Sequence, residues 1–284
     1  MTYSLTKRDV MQTGYYQAAA GMVTQFNRLD LIANNLANVN TAGYKQDDVI
    51  VGDFMRVYQE ARDELPHENN TKEGAKFYNR TMARTPQVVE EYTNYSAGNL
   101  QKTDNTLDIA LAQENLYFLV KTPQGIRLTR DGSFTTNDEG KLVTKQGYEV
   151  LPSNYFSGAG GSIELNSEED IVTIDKNGQI LTNIPNTLKM APKAKLFIFE
   201  PDNPKYLKKE GDNLFVYENE SEYKPSEESG AVRQGFVEKS NVNAVRMMTQ
   251  LIETNRLVGM YQKAMDTQMN EMNRDAIDKL AKRA

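Results

Sequence analysis

The stretch "LDLIANNLANVN", residues 29–40, decides the fold near the N-terminus. Its apolar side chains Leu29, Ile32 and Leu36 recur at helical spacing. Asparagine fills four of the last seven positions, although its side chain competes for the backbone hydrogen bonds of a helix. Buried amides need hydrogen-bond partners, so the pattern favours a helix packed among several neighbours over a helix in a private core.

The apolar spacing continues upstream of this stretch. Steps of four and three residues, typical of a helix that packs against other helices, link Met22, Phe26, Leu29, Ala33 and Leu36. The segment "NTAGYK" follows, and its Gly43 can take the left-handed conformation that ends a helix. We therefore predict that the first helix ends near Asn40.

A second long helix is predicted from Asn241 onward, with Ser240 or Asn241 as its cap. Apolar residues recur every seven positions at Ala244, Leu251, Val258, Met265 and Met272, with Met248, Ile252 and Met269 alongside. Methionine at this spacing could form a promiscuous binding face, but ordinary helix packing is the favoured interpretation.

The middle of the chain has the signals of strands and tight turns. Asn177-Gly178 lies between alternating apolar residues, which is a strong hairpin signal, and turn signals recur every 7–15 residues from 98 to 236. We predict an α+β fold in which paired N- and C-terminal coiled-coil-like helices flank an inserted all-β domain. The predicted segments are an N-terminal helix (1–45), an extended connector (46–96), a β domain (97–236) and a C-terminal helix packed on the first (237–284).

Composition narrows the function. The 284 residues include no cysteine and carry a net charge of -6, which gives no reason to expect nucleic-acid binding. Residues 1–45 and 236–284 each carry +2, so the middle carries -10. No apolar run reaches the roughly 18 residues of a membrane helix, and the N-terminus lacks the apolar stretch of a secretory signal. We expect a chain that stays in the cytoplasm or leaves it without a cleaved signal.

The sequence lacks the residue patterns that are typical of catalytic and metal sites. His67 is the only histidine, and with no cysteine in the chain a zinc cluster is not expected. A serine triad would need a histidine, and His67 lies in a predicted linker. The glycine-rich "SGAGGS", residues 157–162, has no following Gly-Lys-Ser/Thr and is interpreted as a turn. Adjacent acidic residues in loops are interpreted as solvated surface. We predict a chain that is not an enzyme and needs no cofactor or metal.

The two predicted helices pose a packing problem, because each has a seam that needs a partner. In one solution the helices pair only with each other, as the stalk of a monomer such as a cell-surface binding module. In the other they also contact further copies. Repeated contacts between different faces of identical subunits build helical filaments when they do not close into a ring.

Residues 29–45, "LDLIANNLANVNTAGYK", resemble the N-terminal signature of flagellar rod and hook proteins, an Asn-Asn-Leu-Ala-Asn run followed by Thr-x-Gly-Tyr/Phe-Lys. "SNVNAV", residues 240–245, resembles the C-terminal signature of that family. "GNLQKTDNTLDIAL" and "TRDGSFTTNDEGKLVTKQGYEVL" resemble its β domain. The chain departs from the family at Gln113-Glu114-Asn115, where a glycine pair is usual. Within the family the chain most resembles the proximal rod type; the distal rod type is second and the hook protein third.

The resemblance implies a structural subunit of the flagellar basal-body rod, a helical tubular driveshaft that transmits motor torque to the hook. The terminal helices would form an axial inner layer and the β domain an outer layer. The implied partners are copies of the chain, other rod proteins, hook-proximal rod subunits, the surrounding bushing rings and the flagellar type III export apparatus, through which the chain would leave without a cleaved signal. No nucleic acid and no direct membrane insertion are implied.

The residues predicted to mediate assembly lie in the two signature regions and on the helix seams. They are Phe26, Leu29, Ala33, Asn34, Asn35, Leu36, Asn38, Gly43, Asn241, Val242, Asn243, Met248, Leu251, Ile252, Val258 and Met265.

Overall fold

Two long helices flank a region of strands in the computed structural model, which describes residues 7–53, 86–157, 161–165, 171–183, 189–217, 223–226 and 230–281. Helix α1 is Lys7–Ala37 and helix α2 is Ala244–Ala281. The described residues between them form strands and two 3-10 turns, Tyr155–Ser157 and Pro204–Tyr206. The predicted α+β fold, with two helices flanking a β region, is confirmed. His67 and most of the predicted connector lie outside the described residues.

The strands follow one another closely along the chain. They are β1 (Asp47–Asp53), β2 (Pro86–Thr93), β3 (Leu100–Lys102), β4 (Ile109–Leu111), β5 (Tyr117–Thr122), β6 (Gly125–Thr129), β7 (Phe134–Thr136), β8 (Leu142–Thr144), β9 (Glu149–Val150), β10 (Val172–Ile174), β11 (Gln179–Asn183), β12 (Met190–Lys195), β13 (Ile198–Phe199), β14 (Leu207–Glu210), β15 (Leu214–Tyr217), β16 (Val232–Gln234) and β17 (Phe236–Glu238).

The chain divides into two compact units. The helical unit contains α1 up to Leu36, the two-stranded sheet of β1 and β2, and α2. The β unit contains Ala37–Gln46 and Thr93–Asn243. The sequence assigns residues 1–45 to one N-terminal element, whereas the segment after α1 is built into the β unit.

Within the helical unit the two helices run antiparallel and in close contact. Gly21 faces Tyr261, and Gly14 faces Gln268. A Cβ atom on Gly21 would lie 2.5 Å from the Tyr261 ring, so the absence of a side chain lets the helices approach. Apart from Ile32, the buried residues of α1 are small or polar. They are Ala18, Gly21, Thr24, Gln25 and Asn35.

The buried face of α1 therefore differs from the apolar seam predicted from the sequence. Phe26 and Ala33 of that seam are exposed, and Leu29 and Leu36 are only half-buried. Phe26 and Leu36 come directly after the buried polar residues Gln25 and Asn35, whereas Ile32 is the one large apolar residue on the buried face of the described part of α1. Periodicity indicates that a seam exists, but the close approach at Gly21 decides which face meets the other helix.

The β unit is built around one large antiparallel sheet. Its strand order is β14-β15-β6-β5-β9-β8-β7, with β13 also paired to β5. A three-stranded sheet, β10-β11-β12, and two ribbons, β16-β4 and β17-β3, complete the unit. Alternate side chains of β5 divide between two cores: Phe118 and Val120 enter one, while Tyr117 and Leu119 enter an aromatic one. The turn predicted at Asn177-Gly178 joins β10 to β11.

Both helices are a few residues shorter than predicted at the ends that face the middle of the chain. Helix α1 ends at Ala37, three residues before Asn40, because Asn38 starts a turn: its backbone oxygen accepts from Thr41 N at 3.1 Å and its side-chain oxygen from the Thr41 hydroxyl at 3.1 Å. Helix α2 begins at Ala244 instead of directly after Ser240 or Asn241. The side chain of Asn241 has other partners, which are described below.

Candidate functional site

The segment that follows α1 is held against the segment that precedes α2. Gly43 N donates to Glu238 O at 2.7 Å, and Asn241 N donates to Tyr44 O at 3.3 Å. Gly43 has φ +68°, and a Cβ atom there would lie 2.5 Å from the Arg130 carbonyl carbon. This position therefore needs glycine for its conformation and for its space.

A buried carboxylate lies behind this backbone contact. Glu238 Oε1 accepts from Lys45 Nζ at 2.7 Å and from Gly98 N at 2.8 Å, and Oε2 accepts from Arg130 Nε at 2.7 Å. The side chains of Lys45 and Arg130 are 0% exposed, and that of Glu238 is 1% exposed. We call these three residues the ionic clamp.

The ionic clamp has two cations but only one anion, so backbone carbonyl groups accept further hydrogen bonds from the cations. Lys45 Nζ also donates to Ser96 O at 2.8 Å. Arg130 Nη1 donates to Gln113 O at 2.7 Å and to Leu116 O at 2.5 Å. Burial lowers the pKa of Lys45, and the Glu238 carboxylate opposes that shift. These bonds compensate the guanidinium and the ammonium for the loss of water.

Asn241 joins the two segments a second time. Its Oδ1 accepts from Gln46 N at 2.8 Å, and its Nδ2 donates to Asn94 O at 2.8 Å and to Ser96 O at 3.1 Å. The amide therefore bonds three backbone groups of residues 46–96. This use explains why Asn241 does not cap α2.

The hairpin of β14 and β15 contacts the other side of the segment after α1, through Lys209 of β14 and Asn213 of the turn. Lys209 Nζ lies 3.7 Å from the centre of the Tyr44 ring and donates to Lys45 O at 2.8 Å. Asn213 Nδ2 donates to Ala42 O at 2.7 Å. Asn213 has φ +61°, a left-handed conformation that asparagine tolerates better than most residues.

Asn35, the amide at the heart of the opening motif, is satisfied within its own chain. Its Nδ2 donates to Asp47 O at 2.6 Å and its Oδ1 accepts from Asp47 N at 3.0 Å. The amide thus pairs with the first residue of β1 as a neighbouring strand would. From the sequence we expected the asparagine amides to find hydrogen-bond partners on neighbouring helices. For Asn35 the partner is instead the backbone of Asp47.

The predicted assembly residues fall into three groups. Gly43 and Asn241 belong to the contact between the two segments, Val242 is buried beside Asn241, and Asn35 binds β1. Half-buried positions are Leu29, Leu36, Asn38, Leu251, Val258 and Met265. Exposed positions are Phe26, Ala33, Asn34, Asn243, Met248 and Ile252.

None of the three residues of the ionic clamp is among the residues that the sequence predicts for assembly. Lys45 ends the "TAGYK" motif, Arg130 lies in "TRDGSF", and Glu238 comes three residues before Asn241. Each is next to a recognisable motif, but a charged residue in an all-β segment is expected to face water. Only the pairing across the fold makes their burial possible.

The described residues include no group of three or more His, Cys, Asp or Glu side chains placed to hold a metal ion. Over the same residues, neither helix has a stretch long and apolar enough to cross a membrane.

Three family models match the chain. The model of the flagella basal body rod protein matches residues 16–45, the FlgE/F/G D1 domain of the flagellar hook protein matches 113–182, and the C-terminal model of the flagellar basal body rod FlgEFG protein matches 233–278. Each of the three matched regions contributes one residue of the ionic clamp. The contact therefore joins the parts of the chain by which the family is defined.

Whole-chain relatives give the same picture. The flagellar basal-body rod protein FlgF of Caulobacter vibrioides is 32% identical over 277 residues, which cover 96% of this chain and 99% of the relative. FlgG of Agrobacterium fabrum is 33% identical over 88% of this chain and 93% of its own length. The flagellar hook-basal body complex protein FlhP of Bacillus subtilis is 30% identical over 81% and 85%. With its two terminal signatures joined in one fold, the chain belongs to the family of flagellar basal-body rod proteins.

Proposed function

We propose that the chain is a structural subunit of the flagellar basal-body rod, of the proximal type, which assembles through its two terminal helices into a tubular driveshaft. Its partners are copies of itself and other rod proteins. The full-length likeness to FlgF of Caulobacter vibrioides supports this assignment. The similar identity to FlgG of Agrobacterium fabrum keeps the distal rod as the alternative.

The observation that carries the proposal is the exposure of large apolar side chains on both helices. On α1, Val23 and Phe26 are 56% and 46% exposed. On α2, Val245, Met248 and Ile252 are 75%, 52% and 60% exposed. They lie at i, i+3 and i+7, which is one face of the helix. Large apolar side chains exposed together on one helix face favour an interaction site.

The two exposed faces differ in sequence, and this favours an open assembly. A contact between the α1 face of one copy and the α2 face of another is heterologous, because each copy contributes a different surface. Such a contact leaves both copies with one free face. Addition can therefore continue along a helical path, as a tubular structure requires.

Substitution of one exposed apolar residue tests the assembly. Ile252→Glu places a charge in the proposed contact, and Gln262→Glu places the same charge at an exposed polar position of α2. We expect the first variant to lose motility and rod incorporation while its monomer keeps its thermal stability. The Gln262→Glu variant is expected to behave as the unmodified chain. Normal assembly of Ile252→Glu would contradict the proposed contact.

Complementation separates the proximal type from the distal type. The gene for this chain would be introduced into host strains that lack either the proximal or the distal rod protein. We expect motility to return only in the first strain. Recovery only in the second would assign the chain to the distal rod, and mass spectrometry of the incorporated subunit would show whether the N-terminus is uncleaved.

A further inference from the structure

We propose that the ionic clamp is a folding switch: the β unit completes its core only when the segment 231–241 reaches Lys45 and Arg130. The proposal concerns the single chain and does not rest on assembly. It makes Glu238 a positioning residue that acts on the whole unit through its two cations.

The segment 231–241 is bonded into the interior of the β unit along its length. Ala112 N donates to Ala231 O at 2.7 Å, strand β16 pairs with β4, and strand β17 pairs with β3. Lys239 N then donates to Asn99 O at 2.9 Å. Strand β4 is fully buried, so it lacks its hydrogen-bond partner until this segment arrives.

The same segment also completes a hydrophobic core. Ala231 and Val232 are buried among side chains of the large sheet and of the three-stranded sheet, including Phe118 and Ile180. The Gln234 side chain accepts from Ile174 N at 3.0 Å and donates to Val172 O at 3.0 Å, so it closes the edge of β10. Both sheets therefore depend on this one segment.

Charge makes the dependence stronger than packing alone. Lys45 and Arg130 are removed from water, and burying a cation without its counterion is strongly unfavourable. Before Glu238 arrives, the chain must leave both cations solvated, which keeps the loops around them open. Glu238 then permits both to be buried in one step.

The fit at the end of the segment is close enough to require full order. A Cβ atom on Gly98 would lie 1.8 Å from Lys239 O, so the two backbones are in contact. Glu238 also accepts from Gly98 N at 2.8 Å. A loosely held segment could not make both contacts. The closure is thus a single discrete event.

Hydrogen exchange of the full chain tests the proposal. We would compare Glu238→Gln with Glu210→Gln, a matched control in which a half-exposed carboxylate loses its Arg127 partner. We expect Glu238→Gln to speed exchange on the order of a hundredfold or more. The acceleration should include β11, which lies in the three-stranded sheet away from the clamp. The control should leave β11 unchanged. Faster exchange confined to β3, β17 and residues 42–46 would overturn the proposal.

If Glu238→Gln does not fold, refolding of the unmodified chain gives a second test. Pulse-labelling measures when the amides of β5 and of β17 become protected after dilution from urea. We expect both to gain protection in the same kinetic phase. Protection of β5 in an earlier phase would show that the core forms without the segment, and the switch would be excluded.

Discussion

Lys45 and Glu238 are 193 positions apart and form an ion pair of 2.7 Å inside the β unit, with both side chains removed from water. Arg130 shares the same carboxylate. The cluster therefore carries two positive charges and one negative charge, and the three residues should differ in how much each contributes to stability.

Removing the anion should cost more than removing one cation. Glu238→Gln leaves two buried cations facing each other, and we expect a loss of about 3–5 kcal/mol in the free energy of unfolding. Lys45→Met keeps the Arg130–Glu238 pair and gives the cluster a net charge of zero, so its cost should be smaller. Urea unfolding of the full chains, followed by near-UV circular dichroism, measures both. An equal or larger loss for Lys45→Met would refute this ordering.

Comparing Gly43 with Gly147 separates the cost of a steric contact with the backbone from the cost of a positive φ angle. Gly43 and Gly147 both have positive φ, but no described atom lies within 4 Å of a Cβ atom built at Gly147. Gly147→Ala should cost about 1–2 kcal/mol from conformation alone. Gly43→Ala should cost clearly more, because the added methyl group meets the backbone of Arg130. Thermal unfolding compares the two, and similar losses would mean that the loop can shift away.

The amide of Asn35 should stabilise the helical unit through β1. Asn35→Leu removes an acceptor and a donor for the Asp47 backbone, and each unpaired buried group costs about 1–3 kcal/mol. We expect faster hydrogen exchange at Asp47 N, although leucine is the better helix former. Asn34→Leu, at an exposed position, serves as the control and should not change that exchange rate. Unchanged exchange in Asn35→Leu would show that the amide is dispensable.

Asp131 gives a pH dependence of known sign. Burial raises the pKa of its carboxyl above 3.8, although the hydrogen bond from Ser133 N opposes the shift. The folded chain thus holds this proton more tightly than the unfolded chain. The stability that the group contributes is complete below pH 3.8 and is lost as the pH rises through the raised pKa.

Asp131→Asn keeps the acceptor and removes the titration. Its free energy of unfolding, relative to the unmodified chain, should therefore increase as the pH rises from 3.8 toward neutrality. Urea unfolding at a series of pH values measures this difference, with Asp138→Asn, at an exposed turn position, as the control. A difference that stays constant with pH would show that Asp131 has no such role.

The sequence predicts the fold class well, because helical periodicity and hairpin turns are local signals. The sequence does not predict correctly which face of α1 packs against α2. Gly21 contacts Tyr261, while Phe26, the apolar residue expected at the contact, is exposed. The sequence also could not reveal the ionic clamp. Lys45, Arg130 and Glu238 become neighbours only through pairing of distant strands, and each alone has the appearance of a surface charge.

The long separation between Lys45 and Glu238 also imposes a delay during synthesis, because the ribosome makes the chain from its N-terminus. At about 5–20 residues per second, Lys45 precedes its carboxylate partner by roughly 10 to 40 s. Throughout that interval the ammonium group must remain hydrated and strand β4 must remain without the partner strand that covers it. The nascent chain therefore offers binding factors an extended, unfinished substrate until nearly all of the β unit has been synthesised.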